Sequence, residues 1–263
     1  MPEKILGVKV DTVTFDKALT AASTFVAEPR FHLITTVNAE FILTAQTDLV
    51  FKEILNGADL SLPDGVGVLM AQRYLSAAAL VPAGLLRPLQ LFWLGLKVGF
   101  LTKLPERVAG SDLFKELVKQ AAANNWRVGL LGGESFKGEE VCNLTKQALL
   151  ATWPLLQIAY CSREPTPEIF ATPLDLLFVA FGHPKQEKWL GENKDRLSRV
   201  RVGMGVGGTF DFIIGKQHRA PRLLQQLKLE WLWRLLLQPT RFKRIFSAYP
   251  IFPLQVFLSS LRT

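Results

Sequence analysis

Short apolar runs alternate with segments of helical spacing over residues 1–215. Such runs predict strands, and apolar residues recurring every three or four positions predict helices. The predicted strands are Ile5–Val10, Phe31–Thr36, Asp59–Leu62, Arg127–Leu131, Leu155–Tyr160, Leu174–Phe181 and Val200–Val206. The predicted helices are Phe15–Ala27, Ala39–Asn56, Gly67–Tyr74, a helix capped by Ser111 or Asp112 and ending at Ala123, Phe136–Ala151 and Lys185–Asp195. The alternation predicts an α/β fold with a doubly wound, mostly parallel, Rossmann-like sheet and helices on both faces.

A strongly apolar segment, Ser76–Leu101, interrupts this alternation. It is long enough to span a bilayer, but Arg87, Lys97 and two prolines inside it disfavour a spanning helix. The pattern favours two short helices, the second over Leu89–Leu101, within an apolar insertion at about residues 76–104. These helices either pack on the core or lie in a membrane interface, and both interpretations stay open.

The composition changes near Gly215. The chain has a formal net charge of +8, and the segment from Lys216 onward, with nine Lys or Arg residues and one acid, carries all of it. We therefore predict an α/β domain at residues 1–215 and a basic, amphipathic, helical appendage at residues 216–263. Leucines, Trp231 and Trp233 lie between the cations, a mixture typical of helices at anionic membrane surfaces. Nucleic acid is not the expected partner, because a groove-binding helix is less apolar.

Bulk composition excludes several other classes. A hydrophobic fraction of 49% and a charged fraction of 21% are ordinary for a globular protein and exclude disorder. Cys142 and Cys161 are too few for a disulfide framework and are expected to be separate core thiols in a reducing cytoplasm. The first residues lack an export signal, and without a His/Cys cluster or an Asp-x-Asp pair no metal site is expected.

Polar side chains and glycines follow the ends of several predicted strands. The carboxyl ends of parallel strands share one sheet edge, where ligands bind. The residues expected in this crevice are Thr36, Asn38, Asp64, Gln186 and Thr209. The glycines that would let a phosphate or sugar approach the backbone are Gly132, Gly133, Gly205, Gly207 and Gly208. The simpler interpretations stay open: glycine pairs form tight turns, Asp64 can be a turn former, and His32 and His183 are expected to be structural.

Six ordered motifs identify a resemblance. They are Thr36-Val-Asn-Ala-Glu, Leu62-Pro-Asp-Gly-Val-Gly, Glu106-Arg-Val-Ala-Gly-Ser-Asp-Leu, Gly182-His-Pro-Lys-Gln-Glu, Gly205-Val-Gly-Gly-Thr-Phe-Asp-Phe, and Arg219-Ala-Pro through Leu229-Glu-Trp-Leu-Trp-Arg-Leu. Together they resemble the WecG/TagA/CpsF glycosyltransferases (glycosyltransferase family 26) over nearly the whole chain. The stretch from Tyr74 to Pro105 looks longer and more apolar than the family pattern.

The resemblance implies an inverting, metal-independent enzyme without a cofactor. It would move an N-acetylmannosamine-type sugar, or its uronic acid, from a UDP donor to a polyprenyl-diphosphate-linked sugar during the synthesis of bacterial surface polysaccharides. Asp64 would be the general base. The substrate-binding residues would be Thr36, Asn38, Arg107, Gly132, Gly133, Gln186, Gly207, Gly208 and Thr209. The appendage would bring arginines to the diphosphates and the membrane, namely Arg219, Arg222, Arg234, Arg241 and Arg244.

Three other functions stay open at this point. The enzyme could transfer another sugar, such as glucuronic acid, to a lipid-linked oligosaccharide. It could also be a membrane-surface module that binds a sugar nucleotide without catalysis. A nicotinamide-dependent oxidoreductase is disfavoured, because the Gly-x-Gly-x-x-Gly fingerprint is missing. The expected location is the cytoplasm, on the inner face of the cell membrane, and the sequence leaves homo-oligomer formation open.

Overall fold

The computed structural model describes residues 3–102, 104, 106–216, 221 and 250–262. Its centre is a six-stranded parallel sheet with the order β4-β3-β10-β9-β5-β8. The strands of this sheet are β3 (His32–Val37), β4 (Leu60–Pro63), β5 (Arg127–Gly132), β8 (Gln157–Ser162), β9 (Leu174–Ala180) and β10 (Val200–Gly205). Two small hairpins add β1 (Glu3–Ile5) with β2 (Val8–Val10) and β6 (Ser135–Phe136) with β7 (Glu139–Glu140). The parallel sheet confirms the predicted fold class.

Helices cover the sheet. They are α1 (Phe15–Ala27), α2 (Ala39–Thr44), α3 (Leu49–Asn56), α4 (Val66–Ala78), α5 (Arg87–Leu101), α6 (Gly110–Asn124), α7 (Val141–Thr152), α8 (Glu168–Ala171), α9 (Lys185–Glu192), α10 (Thr209–Ile213) and α11 (Phe252–Ser260). The sheet residues Ile34, Leu130, Phe178 and Met204 are buried in one apolar cluster with α1 and α6. Leu33, Leu177 and Val200 are buried in another cluster, with Leu190 of α9.

The predicted boundaries differ from the structure where a local turn interrupts an apolar pattern. The predicted strand Ile5–Val10 is the β1–β2 hairpin, because Leu6 and Gly7 adopt positive φ angles of 50° and 79°. The predicted helix Ala39–Asn56 divides into α2 and α3, because the Asp48 side chain accepts a hydrogen bond from the Phe51 N–H and starts a new helix.

Two helix starts were also predicted wrongly. The helix expected from Phe136 begins at Val141, because the β6–β7 hairpin turns at Lys137 and Gly138, whose φ angles are 53° and 85°. The N-cap of α6 is Ala109 rather than Ser111 or Asp112. Its Gly110 lies tightly against β3, since a Cβ there would approach the Thr36 Cγ2 to 2.8 Å.

The two cysteines are not the separate thiols that the sequence predicted. The sulfurs of Cys142 in α7 and Cys161 in β8 are paired as a disulfide, and their Cα atoms are 6.3 Å apart. The sequence contains no local signal for this pairing, because it depends on the packing of α7 against the edge strand β8.

The apolar segment forms part of a three-helix layer made by α4, α5 and α11. Tyr74 of α4 lies at its centre: its hydroxyl is 2.8 Å from the Ser260 Oγ, and a Cβ on Gly95 of α5 would be 3.7 Å from its ring. Leu91 and Val98 of α5 are buried in this layer. The packing interpretation is thus confirmed for one face of α5. No helix in the described part of the chain is long and apolar enough to cross a membrane.

Candidate active site

A polar cavity of about 580 Å³ opens at the edge of the sheet where the parallel strands end. The strand order explains its position. From the central strands β9 and β10 the sheet extends through β3 to β4 on one side and through β5 to β8 on the other, and ligands bind where the strand order reverses in this way. The predicted site residues that line it are Thr36, Asn38, Asp64, Arg107, Gly133, Gln186, Gly207, Gly208 and Thr209. The crevice predicted from the turns is therefore present.

Gly132 was also predicted to bind substrate, but it does not line the cavity. Its φ angle is 101°, and a Cβ there would lie 2.9 Å from the backbone of Ala180. The glycine thus allows the ends of β5 and β9 to approach each other. The five predicted tail arginines, Arg219, Arg222, Arg234, Arg241 and Arg244, lie outside the described residues.

Asp64 reaches the cavity from a short turn. β4 ends at Pro63, and the Asp64 N–H donates to the Val37 carbonyl at 2.9 Å, which ties the turn to β3. Gly65 follows with a φ angle of 104°, a conformation that side chains rarely allow, and α4 begins at the next residue. The turn thus fixes the backbone that presents the carboxylate to the cavity.

Asn38 faces the cavity and also caps α2. Its Oδ1 accepts hydrogen bonds from the N–H groups of Glu40, at 2.9 Å, and Phe41, at 3.1 Å. The carboxamide oxygen is therefore committed to the helix, and the NH₂ group is the part of the side chain that can donate to a ligand. Thr209 has a similar double role, because its hydroxyl donates to the Val206 carbonyl at 2.7 Å.

Gln186 joins two turns instead of presenting its oxygen to a ligand. Its Oε1 accepts from the N–H groups of Gly182, at 3.1 Å, and Gly207, at 2.9 Å. Its Nε2 donates to the Glu187 Oε1 at 2.6 Å. Gln186 lines the cavity, and its oxygen holds the turn after β9 against the turn after β10. Its role in substrate binding stays a prediction.

Glu187 was missed as a site residue. It is 1% exposed, and burial raises the pKa of its carboxyl from 4.5 to about 7, although the hydrogen bond from Gln186 acts in the opposite direction. Its Oε2 has no hydrogen-bond partner among the described residues. Its sequence signals were its place in the Gly182-His-Pro-Lys-Gln-Glu motif and beside Gln186, but a carboxylate at the start of a helix is usually solvated.

Positive charge reaches the cavity from two segments of the chain. Arg107, in the loop before α6, and Lys216, after α10, both line it. The Lys216 ammonium is 3.3 Å from the carboxylate of Asp211, which also lines the cavity. Among residues 3–102, 104, 106–216, 221 and 250–262, no group of three His, Cys, Asp or Glu side chains could hold a metal ion.

His32 and His183, which the sequence predicted to be structural, both pack against neighbouring side chains. His183, which precedes Pro184 in a cis peptide, stacks on Phe41 with ring centroids 4.4 Å apart, and its Nε2 is 3.0 Å from the Thr44 Oγ1. His32 is buried, with its ring nitrogens 3.1 Å and 3.2 Å from carboxylates of Glu28 and Asp59. His183 nevertheless also lines the cavity, between Phe181 and Gln186.

The sequence has clear relatives. It matches the model of the glycosyl transferase WecG/TagA/CpsF family over residues 3–83 and 89–263. It is 31% identical over 222 residues, 82% of this chain and 75% of the relative, to the N-acetylglucosaminyldiphosphoundecaprenol N-acetyl-beta-D-mannosaminyltransferase of Bacillus subtilis (strain 168). It is 29% identical over 257 residues, 94% of this chain and 89% of the relative, to the enzyme of the same name from Staphylococcus aureus (strain NCTC 8325 / PS 47).

These matches show that the protein is a glycosyltransferase. The chain belongs to the WecG/TagA/CpsF family, as its six motifs predicted. The family match leaves out residues 84–88, which lie in the apolar segment, at the end of the α4–α5 connection and in the first two residues of α5.

Proposed function

We propose that the enzyme transfers an N-acetylmannosamine-type sugar, or its uronic acid, from UDP to a polyprenyl-diphosphate-linked sugar. The observation that carries the proposal is the convergence of Asp64, Thr36, Asn38 and Gly208 on one cavity of about 580 Å³ at the carboxyl edge of the sheet. The relatives from Bacillus subtilis and Staphylococcus aureus are named as N-acetyl-beta-D-mannosaminyltransferases of N-acetylglucosaminyldiphosphoundecaprenol, which supports the sugar and the acceptor class.

Asp64 is the proposed general base. The acceptor hydroxyl attacks the anomeric carbon from the face opposite UDP, a new carbon–oxygen bond forms, and the bond to the donor phosphate breaks. The hydroxyl proton passes to the Asp64 carboxylate, and UDP departs with the bonding electron pair. One displacement inverts the anomeric centre and requires one base, which is consistent with a single carboxylate at the end of β4.

The departing diphosphate needs positive charge or N–H donors, because negative charge develops on it in the transition state. Arg107 and Lys216 line the cavity and supply this charge in the proposed metal-independent reaction. The Gly208 N–H, at the start of α10, is proposed as a further donor. The NH₂ group of Asn38 is proposed to bind the sugar.

A lipid-linked acceptor requires contact with a membrane, and we propose that α5 and α11 contribute to it. On α5 the side chains of Phe92 and Trp93 are 52% and 62% exposed. The other exposed apolar residues of the two helices and their flanks are Leu85, Leu86, Leu89, Leu96, Leu101, Ile251, Leu254, Leu258 and Leu261. No acid occurs from Tyr74 to Pro105 or after Glu230, and this favours an anionic lipid surface.

The test is UDP release from a panel of UDP-sugars in the presence of a polyprenyl-diphosphate-N-acetylglucosamine analogue. We expect release with UDP-N-acetylmannosamine or its uronic acid, and only when the acceptor is present. Release with UDP-glucuronic acid and a longer lipid-linked oligosaccharide would favour the alternative transfer. Binding of UDP-sugars without UDP release in the presence of any acceptor would contradict the catalytic proposal.

A further inference from the structure

We propose that Glu187 is a positioning residue, whose buried carboxylate fixes the orientation of the Gln186 carboxamide and thereby holds together the turns that form one wall of the cavity. The proposal rests on the proposed function only in taking this cavity to hold the UDP donor. Glu187 itself does not line the cavity. Its effect on the reaction would therefore pass through Gln186.

The first step is the part that Gln186 plays in the wall. β9 and β10 are neighbours in the sheet, but the turns that follow them belong to different chain segments, 21 residues apart at the joining contact between Gln186 and Gly207. A single oxygen, the Gln186 Oε1, accepts from the N–H of Gly182 in one turn and of Gly207 in the other. The relative position of the two turns therefore depends on this oxygen pointing between them.

The second step is the orientation of the carboxamide. A glutamine side chain can rotate by half a turn and exchange its oxygen for its NH₂ group, which would set donors against the two glycine N–H groups. Above its pKa of about 7 the Glu187 carboxylate is ionised and only accepts hydrogen bonds, so its Oε1, 2.6 Å from the Gln186 Nε2, is then compatible with one orientation. A charged acceptor also forms a stronger hydrogen bond than a neutral one.

The third step is the packing that places the two side chains together. A Cβ on Gly205, the last residue of β10, would lie 2.5 Å from the Gln186 Nε2 and 2.5 Å from the Glu187 Oε1. Only a glycine leaves room for this pair against the strand. Glu187 is 1% exposed and Gln186 is 3% exposed, so water does not compete for their hydrogen bond.

The consequence lies at the next residues of the chain. Gly208 and Thr209, which follow the clamped Gly207, line the cavity at the start of α10, and His183 follows the clamped Gly182. Holding Gly207 and Gly182 at a fixed separation sets the position of these groups before a ligand arrives. A donor diphosphate then binds a wall that needs no ordering, and binding is stronger for that reason.

The experiment compares Glu187→Met, which removes the acceptor at similar volume, with Glu187→Gln, which keeps an acceptor without the charge. Glu192→Met, at an exposed position of the same helix α9, is the matched control. Amide hydrogen exchange at Gly182 and Gly207 is measured by NMR in the ligand-free protein, and UDP affinity is measured by calorimetry. In Glu187→Met we expect about tenfold faster exchange at both glycines and about tenfold weaker UDP binding. Glu187→Gln should show smaller changes and Glu192→Met none.

A double variant tests the route through Gln186. If Glu187 acts only by orienting Gln186, Gln186→Met with Glu187→Met should bind UDP no more weakly than Gln186→Met alone. Losses that add, or unchanged exchange at Gly182 and Gly207 in a folded Glu187→Met, would overturn the positioning role. If the wild-type protein does not bind UDP and exchange still responds to Glu187→Met, the proposed donor is wrong and the positioning role stands.

Discussion

The cavity wall between β9 and β10 and the outer face of α5 are built in opposite ways. In the wall, the Gln186 carboxamide binds two backbone N–H groups and a buried carboxylate, so its interactions are made within the chain. On α5, Phe92 and Trp93 leave about half or more of their surface to solvent. The contrast teaches that the wall has its geometry before a ligand binds, whereas the apolar face gains stability only from a surface outside the described structure.

The largest expected effect tests whether catalysis and donor binding depend on different residues of the cavity. Asp64→Asn keeps the shape of the turn but removes the proposed base, and we expect the turnover number to fall by roughly 10² to 10⁴. UDP affinity should change little, because the wall that is proposed to bind the diphosphate is unaltered. Turnover is measured by UDP release and affinity by calorimetry. Asp195→Asn, at an exposed position after α9, is the control and should behave as the wild type.

A normal turnover in Asp64→Asn would exclude Asp64 as the base. A loss of UDP affinity as large as the loss of turnover would show instead that the Pro63–Gly65 turn belongs to the binding wall. Either result would contradict the proposal that Asp64 acts in catalysis while the preformed wall binds the donor.

The second expected effect concerns the stability cost of the buried carboxylate. Burial raises the pKa of Glu187 from 4.5 to about 7, so the folded state holds the proton more tightly than the unfolded state. This contribution to stability is complete below pH 4.5 and is lost as the pH rises through 7. At 1.36 kcal/mol per pKa unit, the loss amounts to roughly 3 kcal/mol.

Glu187→Gln has no such titration. Its free energy of unfolding relative to the wild type should therefore increase between pH 5 and pH 8, by up to roughly 3 kcal/mol. Urea denaturation at the two pH values measures this difference, with Glu192→Gln as the control. A difference that does not depend on pH would mean that Glu187 titrates normally and that its site is more hydrated than its burial indicates.

The third expected effect compares two glycines, one in each region. Gly205→Ala places a Cβ 2.5 Å from both side chains of the Gln186–Glu187 pair, and we expect a loss of about 1–3 kcal/mol in unfolding free energy together with weaker UDP binding. Gly99→Ala in α5 meets no atom within 4 Å and should gain up to about 1 kcal/mol, since alanine favours a helix. Thermal unfolding measures both. Equal effects at the two positions would contradict the difference in packing.

The motifs located the cavity because strand ends in a parallel sheet share an edge, and this rule needs only the strand positions. It placed Thr36, Asn38 and Asp64 together although they come from two different turns. It could not show that the oxygen of Gln186 is already bound to the Gly207 N–H, because that bond joins turns 21 residues apart. A side-chain contact of this kind is tertiary and has no signature in composition or spacing.

Apolar periodicity failed to predict a helix boundary where a single polar side-chain contact starts a new helix. The helix α1 has its predicted bounds, Phe15–Ala27, because the Thr14 cap in the structure starts the helix where the apolar spacing does. The break between α2 and α3 was missed, because the apolar spacing continues through it and only the Asp48 cap marks the new start. For α5, spacing predicted a helix but not that one apolar face is buried against α4 and another is exposed.

The smallest expected effect tests the exposed region alone. Phe92→Ser with Trp93→Ser should leave the fold intact, because Leu91 and Val98 make the buried contacts of α5. It should weaken co-sedimentation with vesicles that contain anionic lipid by roughly tenfold, as expected for the loss of two half-exposed aromatic groups from an interface. Leu155→Ser is the control, because Leu155 is 77% exposed at the far edge of the sheet, before β8, and should not contact lipid. Equal vesicle binding by the Phe92/Trp93 double variant and by Leu155→Ser would place the membrane contact elsewhere on the chain. An apolar face that no lipid covers would then need another occupant.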